Sequence, residues 1–249
     1  MNDLPEISVP EISVVVPVMN EAGNIQPLIV GIEAAFGKRA IEIIYVNDAS
    51  TDATLDELKA EKATRPHLRI ITHSKRSGQS AALRTGIFAA RSERIATLDG
   101  DGQNPPADLV HLEKVWQQSK QDHDLVMAAG VRQKRQDNLG KQVASRMAKR
   151  LRAWLLGDKH PDSGCGIKVF DRALFLRMPY FNHIHRFMPI IAKREGAEVL
   201  AVPVDHAARQ VGSSKYGNLD RLLVGIADIR GVMWLMRRSP KNLETQELE

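Results

Sequence analysis

Between Ile12 and Ala129 the sequence switches regularly between two hydrophobic rhythms, and that alternation limits the chain to few architectures. Short β-branched runs read as buried strands: ISVVVPV from Ile12, IEIIYVND from Ile41, LRIIT from Leu68, RIATLD from Arg94 and DLVMAA from Asp124. Between them lie helical stretches. Apolar residues recur at helical spacing from Ile25 to Phe36, and STDATLDELKAEK offers Ser50, Thr51 or Asp52 as a cap. GQSAALRTGIFAAR from Gly78 and PPADLVHLEKVWQQ from Pro105 follow, the latter with proline in its first turn. Strands alternating with helices imply right-handed crossovers, hence a mostly parallel, Rossmann-like sheet flanked by helices. Such sheets bind ligands beyond the carboxyl ends of their strands. The polar residues that follow strands, Asn20 and Glu21, Asp48 and Asp52, Lys75, Asp99 and Asp101, are therefore expected on one rim.

After Gly130 the alternation stops. The segment from Arg132 to Arg152 is rich in positive charge, and Val143, Met147, Leu151, Trp154 and Leu155 follow a helical spacing. A later stripe of Leu219, Leu222, Leu223, Ile226, Ile229, Val232 or Met233, and Met236 is interrupted by Asp220, Arg221, Asp228 and Arg230, which makes it amphipathic. Trp154, Trp234, Arg237 and Arg238 border these apolar faces as they would in a lipid headgroup layer, although core-facing helices show the same periodicity. No stretch approaches the ~20 apolar residues of a spanning helix, and the first residues lack the basic and apolar regions of a signal peptide. A chain of this kind meets a membrane by lying on it.

The bulk numbers narrow the partners. At 249 residues with 43% hydrophobic content, the chain can bury a sizeable core. Its net charge of +5 favours an anionic partner. With 5% aromatic residues and no recognition motif, nucleic acid is not expected. Cys165 is the single cysteine, so no intrachain disulfide can form, which is consistent with the cytosol. It lacks a nucleophile's surroundings and reads as structural, as do His183 and His185.

Common phosphate loops are absent: there is no GxxxxGK[ST], and NEAGN after the first strand has one glycine where a dinucleotide site has three. The stretch LDGDGQNPP instead places Asp99 and Asp101 two residues apart, where their charges repel. Such a pair calls for something positive between the acids, either a metal ion or a Lys/Arg cluster. It could also be a turn capping the next helix. Asp99, Asp101 and Gln103 offer oxygen ligands only, which suits Mg²⁺ or Mn²⁺ shared with substrate phosphates. Asp48 can start a helix, or accept hydrogen bonds from a base or ribose at the sheet edge.

Taken in order, VVVPVMNE, VNDASTDAT and LDGDGQNPP resemble the family-2 inverting glycosyltransferases with the A-type fold. PDSGCGIKVFDR, HRFMPII and VPVDHAARQVGSSKYGNLDR are similar to segments of the polyprenyl-phosphate glycosyltransferases, the dolichyl-phosphate mannose synthase group. The resemblance runs from Ile12 to Arg237. It implies that Pro17, Asn20, Glu21, Asp48, Asp52 and Asp99 hold the nucleotide, and that Asp99, Asp101 and Gln103 hold Mg²⁺ or Mn²⁺ with the donor diphosphate. Asp101, Arg209, Ser214 and Lys215 are the expected catalytic residues, the last three donating to the leaving diphosphate. Arg132, Lys141, Ser145 and Arg146 are candidates for the acceptor phosphate, although a solvated basic helix would look the same. That bland reading also covers Lys168, which stands where the family's loop commonly has arginine.

The implied reaction moves a sugar from a nucleoside-diphosphate sugar donor to a polyprenyl phosphate acceptor at the cytosolic membrane face. The protein would be peripheral on that membrane surface, with an integral membrane partner conceivable because many relatives append spanning helices. The expected division is an extension 1–11, a catalytic domain 12–217 with donor half 12–130 and acceptor half 131–217, an amphipathic helix 218–238 and a polar tail 239–249. Two other readings stay open: a glycosyltransferase with a saccharide or protein acceptor, and a nucleotide-sugar-binding membrane adaptor without catalysis.

Overall fold

The computed structural model describes residues 9–133, 155–158, 160–207 and 218–238. They fall into two compact units, one holding 9–133 and 160–207, the other 155–158 and 218–238. In the first unit the expected alternation appears as β1 (Ile12–Val18), α1 (Ile25–Phe36), β2 (Ile41–Asn47), α2 (Thr54–Lys62), β3 (Leu68–Thr72), α3 (Gln79–Ala89), β4 (Arg94–Thr97), α4 (Ala107–Ser119) and β5 (Val126–Arg132). The central runs are buried on both faces, every residue of β1 and nearly all of β2 included, as central parallel strands require, while the edge strand β3 buries only Leu68 fully.

Beyond Gly130, where the hydrophobic rhythm fades, the chain still adds to the sheet. A four-residue strand β6 (Lys168–Asp171), helix α5 (Arg172–Arg177), a short 3₁₀ turn (Ile184–Arg186), helix α6 (Met188–Arg194) and strand β7 (Glu198–Val204) complete the unit. The seven strands run in the order β3-β2-β1-β4-β6-β5-β7. β6 pairs antiparallel with both β4 and β5, and the other pairings are parallel. Successive strands move outward from β1 to β3, then the chain crosses back to lay β4 on the other side of β1. That reversal opens a crevice at the carboxyl ends of β1 and β4, where open α/β sheets place their ligands.

The inverted strand has a specific consequence. Because β6 runs against its neighbours, its first residue, Lys168, lies at the rim where β4 ends, in register with Thr97. In the second unit, α7 (Asn218–Arg237) is a 20-residue helix. Among the described residues no helix is long and apolar enough to cross a membrane.

Candidate active site

Three clusters meet the rim. The first interlocks the loops after β1 and β2. Asn20, held at φ 56°, donates its N–H to Ser50 Oγ at 3.0 Å and accepts the Thr51 N–H at 2.7 Å. The Glu21 N–H reaches Thr54 Oγ1 at 2.8 Å, and the Gly23 N–H reaches the Glu57 carboxylate at 2.9 Å. Asp52 accepts from the Thr54 N–H and hydroxyl at 3.0 and 2.6 Å and from the Ala22 N–H at 3.3 Å. Burial opposes its ionisation, but these donors outweigh it and hold Asp52 below the usual carboxylate range. Asn20, Glu21 and Asp52 thus form one prebuilt wall beside Pro17, which lies in β1 opposite Val46.

The second cluster belongs to Asp48. Its Oδ1 takes the Ser77 N–H at 2.7 Å and faces His73 Nδ1 at 2.8 Å, and its Oδ2 takes the Gly78 N–H at 2.7 Å. His73 Nε2 is in turn 3.0 Å from Thr85 Oγ1. Burial works against the charge, yet His73 and the two N–H groups keep Asp48 below its ordinary value. The carboxylate expected to meet a base or ribose therefore also ties down the loop carrying Lys75 and Arg76.

The third cluster holds the close-set acids. Asp99 Oδ1 accepts from Gln79 Nε2 at 2.8 Å, and Asp101 Oδ1 accepts the Gln103 N–H at 3.1 Å. Gly100 gives β1 room, since a Cβ there would stand 2.4 Å from Val18 Cγ1. Burial, and after it the charge of Asp101, push Asp99 up to about 6, against the pull of Lys168, Arg132 and Gln79. Gln103 and Ala207 bond each other twice: the Ala207 N–H donates to the Gln103 carbonyl at 2.8 Å, and Gln103 Nε2 to the Ala207 carbonyl at 3.5 Å. The segment leading to Arg209 is so fastened beside the acids.

Lys168 departs from the solvated role that its sequence setting allows. It is 2% exposed, and its ammonium donates to the Cys165 carbonyl. Together with Asp99, Gln79, Gly166, His185 and Arg186 it lines a cavity of about 210 Å³. His185 is half-buried, with Nδ1 2.7 Å from Ser80 Oγ. Arg132 is no part of a basic helix either: it ends β5 and grips Asp162 through Nε at 2.7 Å and Nη2 at 2.8 Å. Arg209, Ser214, Lys215, Lys141, Ser145 and Arg146 lie outside the described residues.

Sequence reasoning overlooked Gln79, His73 and the depth of Lys168. Both stand within ten residues of β3: His73 directly follows the strand, in a loop, and Gln79 opens the stretch whose periodicity reads as helix. No spacing argument picks out Lys168 without knowing that β6 is inverted.

The donor set fits a hard divalent cation. Asp101 Oδ2 accepts no hydrogen bond from the described residues, and neither does Asp99 Oδ2. No three His, Cys, Asp or Glu side chains cluster as a self-sufficient metal centre among the described residues. An ion here would draw its remaining ligands from substrate oxygens and water, the usual manner of Mg²⁺.

Known proteins share this chain's sequence pattern and fold. A dodecaprenyl-phosphate galacturonate synthase of Rhizobium johnstonii is 34% identical over 235 residues, covering 91% of this chain and 68% of that protein. An undecaprenyl-phosphate 4-deoxy-4-formamido-L-arabinose transferase of Klebsiella pneumoniae is 32% identical, covering 84% of this chain and 63% of that one. The chain thus spans about two thirds of the length of these curated relatives. Among solved structures, the mannosyltransferase PcManGT of Pyrobaculum calidifontis, in complex with GDP-Man and Mn²⁺, superposes with a TM-score of 0.64 at 18% identity, covering 94% of this chain and 66% of that one. Glucosyl-3-phosphoglycerate synthase of Mycobacterium tuberculosis, in complex with Mn²⁺, UDP-Glc and phosphoglyceric acid, gives 0.66 at 18% identity, covering 93% and 81%. At that identity the likeness is one of fold. The model of glycosyl transferase family 2 matches residues 13–180, more than half of the sequence, and the chain belongs to that family.

Proposed function

We propose that this chain transfers one sugar, with inversion, from a nucleoside-diphosphate sugar to a polyprenyl phosphate at the cytosolic face of a membrane. The observation that carries the reading is the placement of Asp99 and Asp101 at the reversal of strand order, with two carboxylate oxygens left for an ion and its substrate. The lipid acceptor is supported by the two curated relatives, both named for polyprenyl-phosphate substrates.

In this reading Asn20, Glu21, Asp48 and Asp52 seat the nucleotide against a wall already locked by its own hydrogen bonds, so little ordering remains for binding. Asp99, Asp101 and Gln103 would hold Mg²⁺ or Mn²⁺, which supplies positive charge to the leaving diphosphate. Arg209, Ser214 and Lys215 would add donors to the same group, and the Gln103–Ala207 pairing fastens the start of their segment. An acceptor phosphate is already anionic near neutral pH, so attack on the anomeric carbon needs no strong base from the protein. His185, half-buried and bonded to Ser80, is not asked to be one.

The deciding experiment incubates the chain with a panel of nucleotide sugars, Mg²⁺ or Mn²⁺ and a polyprenyl phosphate, and scores sugar in an organic-extractable product. Lipid-dependent product with inverted anomeric configuration is the expected result. Transfer that proceeds equally to saccharides or protein without the lipid would overturn the acceptor assignment.

A further inference from the structure

The cavity beside Asp99 has room on the scale of one monosaccharide, well below the ~300–1,000 Å³ of sites that take whole drug-sized ligands. Its walls are mixed: Leu83, Leu98 and Met188 give an apolar side, and Asp99, Gln79 and Lys168 give a polar one. The anomaly is Lys168. An ammonium 2% exposed is costly to bury without a counter-charge. Yet its hydrogen bond goes to a neutral carbonyl, that of Cys165, and no carboxylate lies within ion-pair distance among the described residues. Arg132, the nearby guanidinium, is already committed to Asp162. The cavity therefore presents a buried amine that feels the Asp99 charge without pairing to it and has donor capacity to spare.

The geometry points to a carboxylate on the transferred sugar: we propose that this cavity receives the sugar of the donor and that Lys168 binds a uronic-acid carboxylate on it. The inference rests on the donor role proposed above and adds the class of sugar. A single buried ammonium suits a monoanion. A phosphate dianion in the same space would face the Asp99 carboxylate, whereas a pyranose uronate can turn its hydroxyls to Asp99 and Gln79 and its carboxylate to Lys168. Neutral sugars would leave the ammonium without its partner, and a site with an unpaired buried polar group rejects the analogue lacking the matching one.

The test measures binding without lipid, by calorimetric titration of the full chain in Mn²⁺. Two matched pairs are used: UDP-galacturonic acid against UDP-galactose, and GDP-mannuronic acid against GDP-mannose. In one pair or both, the uronate should bind about tenfold tighter or more, the worth of a charge-assisted hydrogen bond. Lys168→Met should erase that preference and change the neutral sugar's affinity by less than about threefold. Equal affinities within both pairs for the unaltered protein overturn the inference even if the variant fails to fold. Equal loss of both members in Lys168→Met also overturns it, assigning Lys168 to the charge of Asp99. So does a variant that binds every donor normally but loses affinity for polyprenyl phosphate. If no nucleotide sugar binds at all, the donor reading itself falls and this inference with it.

Discussion

The Asp99 carboxylate lies directly against the backbone of Gly166: a Cβ added to Gly166 would stand 2.1 Å from Asp99 Oδ2 and 2.3 Å from its Cγ. The glycine comes from the loop before β6 and the aspartate from the loop after β4, so two segments far apart in sequence share one van der Waals boundary. Gly166→Ala should therefore displace the carboxylate. The expected outcome is at least a hundredfold loss of Mn²⁺-dependent nucleotide-sugar binding, with a far-ultraviolet circular dichroism spectrum like that of the unaltered protein. Normal binding would mean that Asp99 has another productive position.

Asp101 carries less of the fold than Asp99 does. Among the described residues it accepts one hydrogen bond, from the Gln103 N–H in a surface turn, so Asp101→Ala should lower the melting temperature by only a few degrees. Turnover should fall by about a hundredfold or more, the scale of losing one electrostatic contact to a developing charge. Near-normal turnover at low Mn²⁺ would remove Asp101 from the ion's ligands.

How much of this was visible in the sequence depends on what kind of signal each feature leaves. The strands and helices of the first half leave strong periodic patterns, and IEIIYVND, read from Ile41 to Asp48, differs from β2 by one residue. β6 leaves almost none: four residues just after the turn-forming PDSGCG, inverted relative to its neighbours. Lys168 inherits that silence. Its residue type suggested solvent, and only the register opposite Thr97 carries it into the cavity wall. Asp48 was legible as a rim acid, but its hold on the Ser77 and Gly78 N–H groups was not, because backbone donors have no sequence signature.

Asp99, partly buried, gives the protein a measurable pH signature. Its ordinary value is 3.8 and in the fold it is pushed up to about 6. Between those values the folded chain keeps a proton that the unfolded chain has lost, so this group's contribution to stability falls as pH rises through the window. The gap corresponds to at most about 3 kcal/mol, reduced by the solvent that still reaches the carboxylate. His185 runs the other way. Burial, then the charges of Arg186, Lys168 and His183, lower it from 6.5 to about 3, and its contribution is lost as pH falls below its ordinary value. Because the two trends oppose each other, the informative quantity is a difference. Asp99→Asn should melt about 3–6 °C above the unaltered protein at pH 7, with the gap closing by pH 4. A gap independent of pH would show that burial does not set the state of Asp99.

At the opposite end of the sheet, Glu113 is 2% exposed and receives Arg39 Nη1 and Nη2 at 2.6 and 2.7 Å as well as Arg94. These arginines precede β2 and open β4, so the carboxylate ties α4 to the amino ends of two strands. Glu113→Gln would leave Arg94 with a neutral partner and Arg39 with Glu11 as its remaining carboxylate. Breaking a fully buried pair costs roughly 3–5 kcal/mol, and the arginines' partial exposure brings the expectation to about 2–3. A fall of about 4–10 °C in melting temperature should follow, with nucleotide-sugar affinity at 20 °C unchanged. Loss of affinity in the folded variant would show that this network acts on the distant rim.

In α7 and the turn that ends it, Ile226, Arg230, Trp234 and Arg238 recur every four residues and so share one face. Ile226 is 43% and Trp234 61% exposed, and the Arg238 guanidinium lies 5.8 Å from the Trp234 ring centre. Apolar and indole groups bordered by arginine suit the headgroup layer of an anionic bilayer, and the proposed lipid acceptor requires such a surface nearby. Replacing Ile226 and Trp234 together by serine removes apolar area worth about 3 kcal/mol at the interface, roughly a hundredfold in partitioning. In vesicle sedimentation, the double variant should lose that much binding to phosphatidylglycerol-containing liposomes while keeping its soluble nucleotide-sugar affinity. Each arginine adds about 1 kcal/mol near an anionic surface, so the unaltered chain should bind neutral liposomes distinctly less well. A double variant that unfolds, or one that sediments with vesicles as before, would show that this face belongs to protein packing and not to lipid.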